Sequence, residues 1–167
     1  MPGVITEVRL GLRLEGASSL ALQGTVDDGR FVLFEGDEGT EPVLSGPVSA
    51  APLEFARLAG LGPRPEAGDD IPTLLAPGLA SYDRAGLLDA WSEASREGTA
   101  LASEDVAVWS AWSSWSRSRR RGVLRITMVA DAGAAGLALI DVSEEGVIVQ
   151  PATATDVWRS LLTLLPR

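Results

Sequence analysis

Residues 109–121 read WSAWSSWSRSRRR, and whether that stretch is helix or strand decides how the chain folds. Three tryptophans recur at a spacing of three, with serines between them and arginines after. At about 100° per residue, Trp109, Trp112 and Trp115 would cover roughly 120° of a helix, a single face. On a strand the same spacing sends alternate tryptophans to opposite sides. The flanks favour a helix. Ser103 can cap it, Glu104 and Asp105 fill its first turn, and Arg117, Arg119 and Arg120 its last. The macrodipole favours that order of charge, and Gly122 is a natural stop. The pattern predicts a helix over 104–120 whose tryptophan face packs on a sheet or is offered to a partner.

Outside this segment the strand signals are plainer. VITEVRLGLRL, residues 4–14, alternates, with Val8, Leu10, Leu12 and Leu14 on one side and Glu7, Arg9 and Arg13 on the other. LALQGTV and RFVLFE flank DDG, which reads as a tight turn with Gly29 at positive φ, and a weaker strand runs through Val43 and Leu44. PVSAAPLEFARLAGLGPRP then reads as a helix capped by Ser49, with Pro52 in its first turn and an end at Gly60 or Gly62. Residues 63–80, rich in proline and glycine, read as a connecting segment, and Ser81 can cap a further helix that Gly98 closes. Beyond Gly122, VLRITMVA, LALIDV and VIVQ form a second meander. Thr153 and Asp156 resemble a capping box, opening a helix with Val157, Leu161, Leu164 and Leu165 inward.

The two ends of the chain therefore look alike. PVSAAPLEFARLAGLGPR starts at Pro47 and PATATDVWRSLLTLLPR at Pro151, each after a meander. The expected fold is α+β: two βββα units, over residues 1–65 and 122–167, join their strands in one antiparallel sheet about a pseudo-twofold axis. Residues 66–121 supply a connecting segment and two central helices packed on it, all in one compact domain.

Composition narrows the function classes. The 167 residues include no cysteine, which excludes disulfides and thiolate chemistry, and no histidine, the usual acid–base group near neutral pH. Lysine and asparagine are absent too, so all 14 basic residues are arginine, a bias of GC-rich, for instance actinobacterial, genomes. The net charge is −9, with 16 acids against 7 arginines in residues 1–100 and 7 against 7 in the remainder. The acidic first 100 residues repel nucleic acid and anionic membrane. No apolar run reaches the roughly 18–20 residues of a membrane span, and the first residues lack a signal-peptide pattern, so a cytoplasmic protein is expected. No catalytic or cofactor motif stands out: GAAG at 133–136 reads as a hairpin turn, and Asp27-Asp28 and Asp69-Asp70 as solvated turns. The expectation is a non-enzyme without metal or cofactor. Its candidate partner-binding residues are Asp37, Glu38 and Glu41 of the acidic loop EGDEGTEP and the tryptophans Trp109, Trp112 and Trp115.

WSAWSSWS resembles the WxxWxxW core of thrombospondin type 1 repeats, but those modules are held by disulfides. A broader resemblance lies in GLALIDVSEEGVIVQPATATDVWRSLLTLLP, 136–166, and more weakly in GRFVLFEGDEGTEPVLSGPVSAAPLEFARLAGL, 29–61. These stretches resemble the EspG family, cytosolic chaperones of actinobacterial type VII (ESX) secretion, although the chain is shorter than a typical member. The resemblance implies two related halves around a central antiparallel sheet and a role in binding PE-PPE heterodimers before export. It also implies that the loop at Asp37, Glu38 and Glu41 is the counterpart of that family's substrate-contacting loop. A different class of function consistent with the composition is a small acidic regulatory or immunity-type protein that caps its partner through charge.

Overall fold

The computed structural model describes residues 5–15, 20–36, 38–65, 107–117, 123–143 and 146–165. Four strands, β1 (Ile5–Glu15), β2 (Leu20–Asp27), β3 (Arg30–Glu35) and β4 (Pro42–Pro47), lead through a 3-10 turn at Val48–Ala50 into helix α1 (Ala51–Leu58). Four more, β5 (Ala107–Arg117), β6 (Val123–Asp131), β7 (Leu137–Ser143) and β8 (Gly146–Ala152), lead into helix α2 (Ala154–Leu162). All eight lie in one sheet of order β4-β3-β2-β1-β5-β6-β7-β8, antiparallel at every pairing. The fold is α+β, and the order reads the same inward from either edge. The expected helix over residues 82–97 falls outside the described residues.

The tryptophan segment overturns the helix expected over 104–120: it is β5, the strand that joins the halves. It pairs with β1 from Ile5↔Arg117 to Glu15↔Val108, and with β6 from Ala107↔Asp131 to Trp115↔Val123. Burial along this central strand does not alternate, so the period of two that marks a half-exposed strand is missing from its sequence. Val108, Trp109, Ser110, Ala111, Ser113 and Trp115 are all buried. Of the residues that looked like helix caps, Arg117 ends this strand, and Ser103, Glu104, Asp105, Arg119, Arg120 and Gly122 lie outside the described residues. With β5 a strand, the second half has four strands before its helix, as the first has in β1–β4, where units of three strands and a helix were expected.

The turns follow local chemistry. Asp28 (φ 45°) and Gly29 (φ 71°) link β2 to β3 with both central residues left-handed, as a two-residue hairpin of the primed type requires. Ser49 does not cap α1: it lies in the preceding 3-10 turn, and the N-cap is Ala50, with no side-chain cap. Pro52 does sit in the first turn, and the helix stops at Gly60 (φ 66°). There Gly60 N–H donates to Arg57 and Leu61 N–H to Ala56, which satisfies two of the last carbonyls. In α2 the capping box forms as its sequence implies: Thr153 Oγ1 accepts from Asp156 N–H at 3.1 Å, and Asp156 Oδ2 accepts from Thr153 N–H at 2.9 Å.

Both helices pack on the same face of the sheet. Leu10, Leu12, Leu22, Phe31 and Leu33 from the first half join Trp109, Ala111, Val129 and Leu137 from the second in one core with Phe55 of α1 and Val157 and Leu161 of α2. Small residues make room at the seam, where Leu12 faces Ala111 and Leu10 faces Ser113. Ser113 Oγ donates to the Leu164 carbonyl at 2.5 Å, and Thr127 Oγ1 lies 2.8 Å from Ser160 Oγ. These bonds pin the end of α2 to β5 and β6. Leu164 is 1% exposed, whereas Leu165, also expected inward, is half-buried.

Candidate functional site

The strand geometry divides the tryptophans. Trp109 (2% exposed) and Trp115 (6%) lie on the helix-bearing face. The Arg125 guanidinium sits 5.1 Å from the centre of the Trp115 ring, a cation–π distance, and Nη1 of the same side chain donates to the Thr163 carbonyl at 2.6 Å. Both tryptophans are thus occupied in holding the molecule together. Trp112 points to the opposite face and is half-buried. It faces Gly11 across the β1–β5 ladder, where a Cβ on Gly11 would collide with its indole ring. The missing side chain of Gly11 leaves the space in which the Trp112 indole lies.

Of the acidic loop, Glu38 and Glu41 are exposed, and Asp37 lies outside the described residues. The loop joins β3 to the edge strand β4, and Val43 beside it is 52% exposed. Glu38 and Glu41 are therefore carried at a sheet edge, far in sequence order of strands from Trp112, which lies on a central strand. The structure does not bring the two candidate groups into one cluster.

A groove that the sequence did not suggest lies between the helices. It encloses about 590 Å³ and is lined by Leu53 and Ala56 of α1, Leu61 to Arg64 after it, and Thr153, Ala154, Thr155 and Trp158 at the start of α2. Leu53, 59% exposed, stands on its rim. The wall formed by residues 61–64 is held by Arg64, whose Nε and Nη2 donate to the two carboxylate oxygens of Asp131 at 3.1 and 2.8 Å. Hydrogen bonding and the charge of Asp131 raise the Arg64 guanidinium above its already high ordinary value. Asp131 also accepts from Gly133 N–H at 2.9 Å, so one carboxylate fixes both this wall and the β6–β7 turn. Chemically the groove offers apolar contact with a few hydroxyl groups, suited to an apolar side chain or a helix face.

Among the described residues, no group of three or more acidic side chains is placed to hold a metal ion, and no helix is long and apolar enough to cross a membrane. Comparison with known protein families and with characterised proteins finds no match for this chain.

Proposed function

We propose that the protein is a non-catalytic chaperone or adaptor of the EspG kind, which binds an export substrate of the PE-PPE type in the cytoplasm. The observation that carries this reading is the open groove between α1 and α2, with Leu53 59% exposed on its rim. An apolar opening on a chain of net charge −9 suits a carrier that masks a sticky partner while itself staying soluble. Glu38, Glu41 and the open part of Trp112 are secondary contacts in this reading.

The same reading takes the two halves as copies of one unit, ββββα, related by a pseudo-twofold axis through the Leu10↔Ser113 pair. Adding 103 to a residue number takes Leu10 to Ser113, Ala51 at the start of α1 to Ala154 at the start of α2, and Leu61 to Leu164. Leu10 and Ser113 share the helix-bearing face, as copies related by such an axis would. LGPR at 61–64 and LLPR at 164–167 also fall in step.

Co-expression with the secreted proteins encoded beside it, followed by capture, tests the function. A complex is expected that survives about 1 M salt, where screening shortens the reach of charge to about 3 Å, and that Leu53→Glu abolishes. Failure to co-purify with any of them would sink the proposal. A complex dissolved by salt and by Glu38→Lys with Glu41→Lys, yet indifferent to Leu53→Glu, would establish the acidic regulatory or immunity-type role instead.

A further inference from the structure

We infer that β8 is a self-association edge, through which two copies of this chain pair antiparallel about Val149 and continue the sheet. β8 ends the sheet among the described residues, and its register with β7 runs unbroken from Ser143↔Gly146 to Leu137↔Ala152. Ser143 and Gly146 flank a two-residue connection, so theirs is a hydrogen-bonded pair, and bonded and non-bonded pairs alternate from there. Ile140↔Val149 and Ala138↔Pro151 are then non-bonded pairs. The N–H and C=O of Val149 therefore point away from β7, as does the Pro151 nitrogen, which has no hydrogen to donate and so costs the β7–β8 ladder nothing.

The free edge fits its own copy. With Val149 opposite Val149 of the second chain, the two residues exchange both N–H···O=C bonds, and Val147 N–H meets the Pro151 carbonyl on each side. The two prolines never face each other in this register. GVIVQPA carries no charge, so nothing on the edge itself repels the copy. The other edge, β4, is defended differently: Pro42 and Pro47 stand at its two ends, and its register with β3 slips between Leu33 and Phe34. The register of β8 runs unbroken where that of β4 slips, and Pro151, facing Val147 of the copy, costs the pairing only the donor it lacks; this assigns the contact to β8. Since the chains repel through their net charge of −9 and not through the edge, salt should favour the pair.

Sedimentation velocity on the full chain over a range of concentrations, at low and at moderate salt, tests this. The expected result is a monomer–dimer equilibrium that shifts towards dimer as salt rises. Val149→Pro removes the outward N–H without touching the β7 ladder, and should weaken dimerisation by more than about tenfold while leaving the far-UV spectrum unchanged. Val43→Lys on β4 should leave it intact. The chain has no native cysteine, so Val149→Cys gives a clean second readout. Facing residues of a bonded antiparallel pair lie about 5.5 Å apart at Cα, within disulfide reach, and mild oxidation should cross-link the chains. A monomer under all conditions with no cross-link would overturn the inference, and so would a dimer that Val149→Pro spares or Val43→Lys removes.

Discussion

Two glycines show how tightly single positions are set. A Cβ on Gly11 would enter the Trp112 ring, a side chain that can swing away from a half-open site, whereas a Cβ on Gly24 would strike the Val32 carbonyl, which belongs to the neighbouring strand and cannot yield. Gly24→Ala should therefore cost more than Gly11→Ala, which falls in the range of about 1–3 kcal/mol usual for overpacking. Urea denaturation of both variants checks the order, and the reverse order would mean that the Trp112 ring is more rigidly held than the β2–β3 pairing. The N-cap of α2 supplies a pH signature at the same scale. Hydrogen bonds from the Thr153 hydroxyl and backbone hold the Asp156 carboxyl below its ordinary value. A depressed carboxyl stabilises the fold above its unfolded value, near 4, and that contribution is lost as pH falls through the folded value. Thr153→Ala should lower Tm at neutral pH, and its difference from the parent should shrink towards acid pH.

At the scale of elements, the strand identity of β5 makes a prediction that a helix would not. Trp109→Ala empties a buried site in the shared core and should cost about 3–5 kcal/mol, while Trp112→Ala, on the other face and half open, should cost clearly less. A helix with one tryptophan face would level the two. Ser113→Ala should also destabilise, by about 1–3 kcal/mol, because the Leu164 carbonyl loses its donor in a buried setting. What is legible in the sequence, and what is not, follows from the range of the forces involved. The Asp28-Gly29 turn, the Gly60 stop and the Thr153–Asp156 box rest on residues three or four apart, and each can be read directly. β1 shows its alternation because Arg9 stays exposed between half-buried Val8 and buried Leu10. In β5 the run Val108 to Ala111 is buried without a break, so periodicity is silent. The groove is equally invisible, since residues 53–64 and 153–158 meet only after the sheet has formed.

For the whole molecule, the joint between the halves decides how it unfolds. β1 bonds on one side to β2, its neighbour in sequence, and on the other to β5, which lies across the rest of the chain. Leu10 and Leu12 on this seam belong to the same core as Phe55 of α1 and Leu161 of α2, so neither half keeps a core of its own once the seam opens. Unfolding should accordingly be a single transition, with tryptophan fluorescence and far-UV signal coincident in urea. Leu12→Ala, at a site 1% exposed, should shift that one transition by about 2–5 kcal/mol without splitting it. Forming the seam requires closing a long loop before its contacts repay the entropy, so refolding should be slow for a chain of this size, and Leu12→Ala should slow it further if the seam belongs to the folding nucleus. A biphasic curve, in which the β5–β8 half outlives β1–β4, would show instead that the shared core is divisible and that each meander with its helix stands alone.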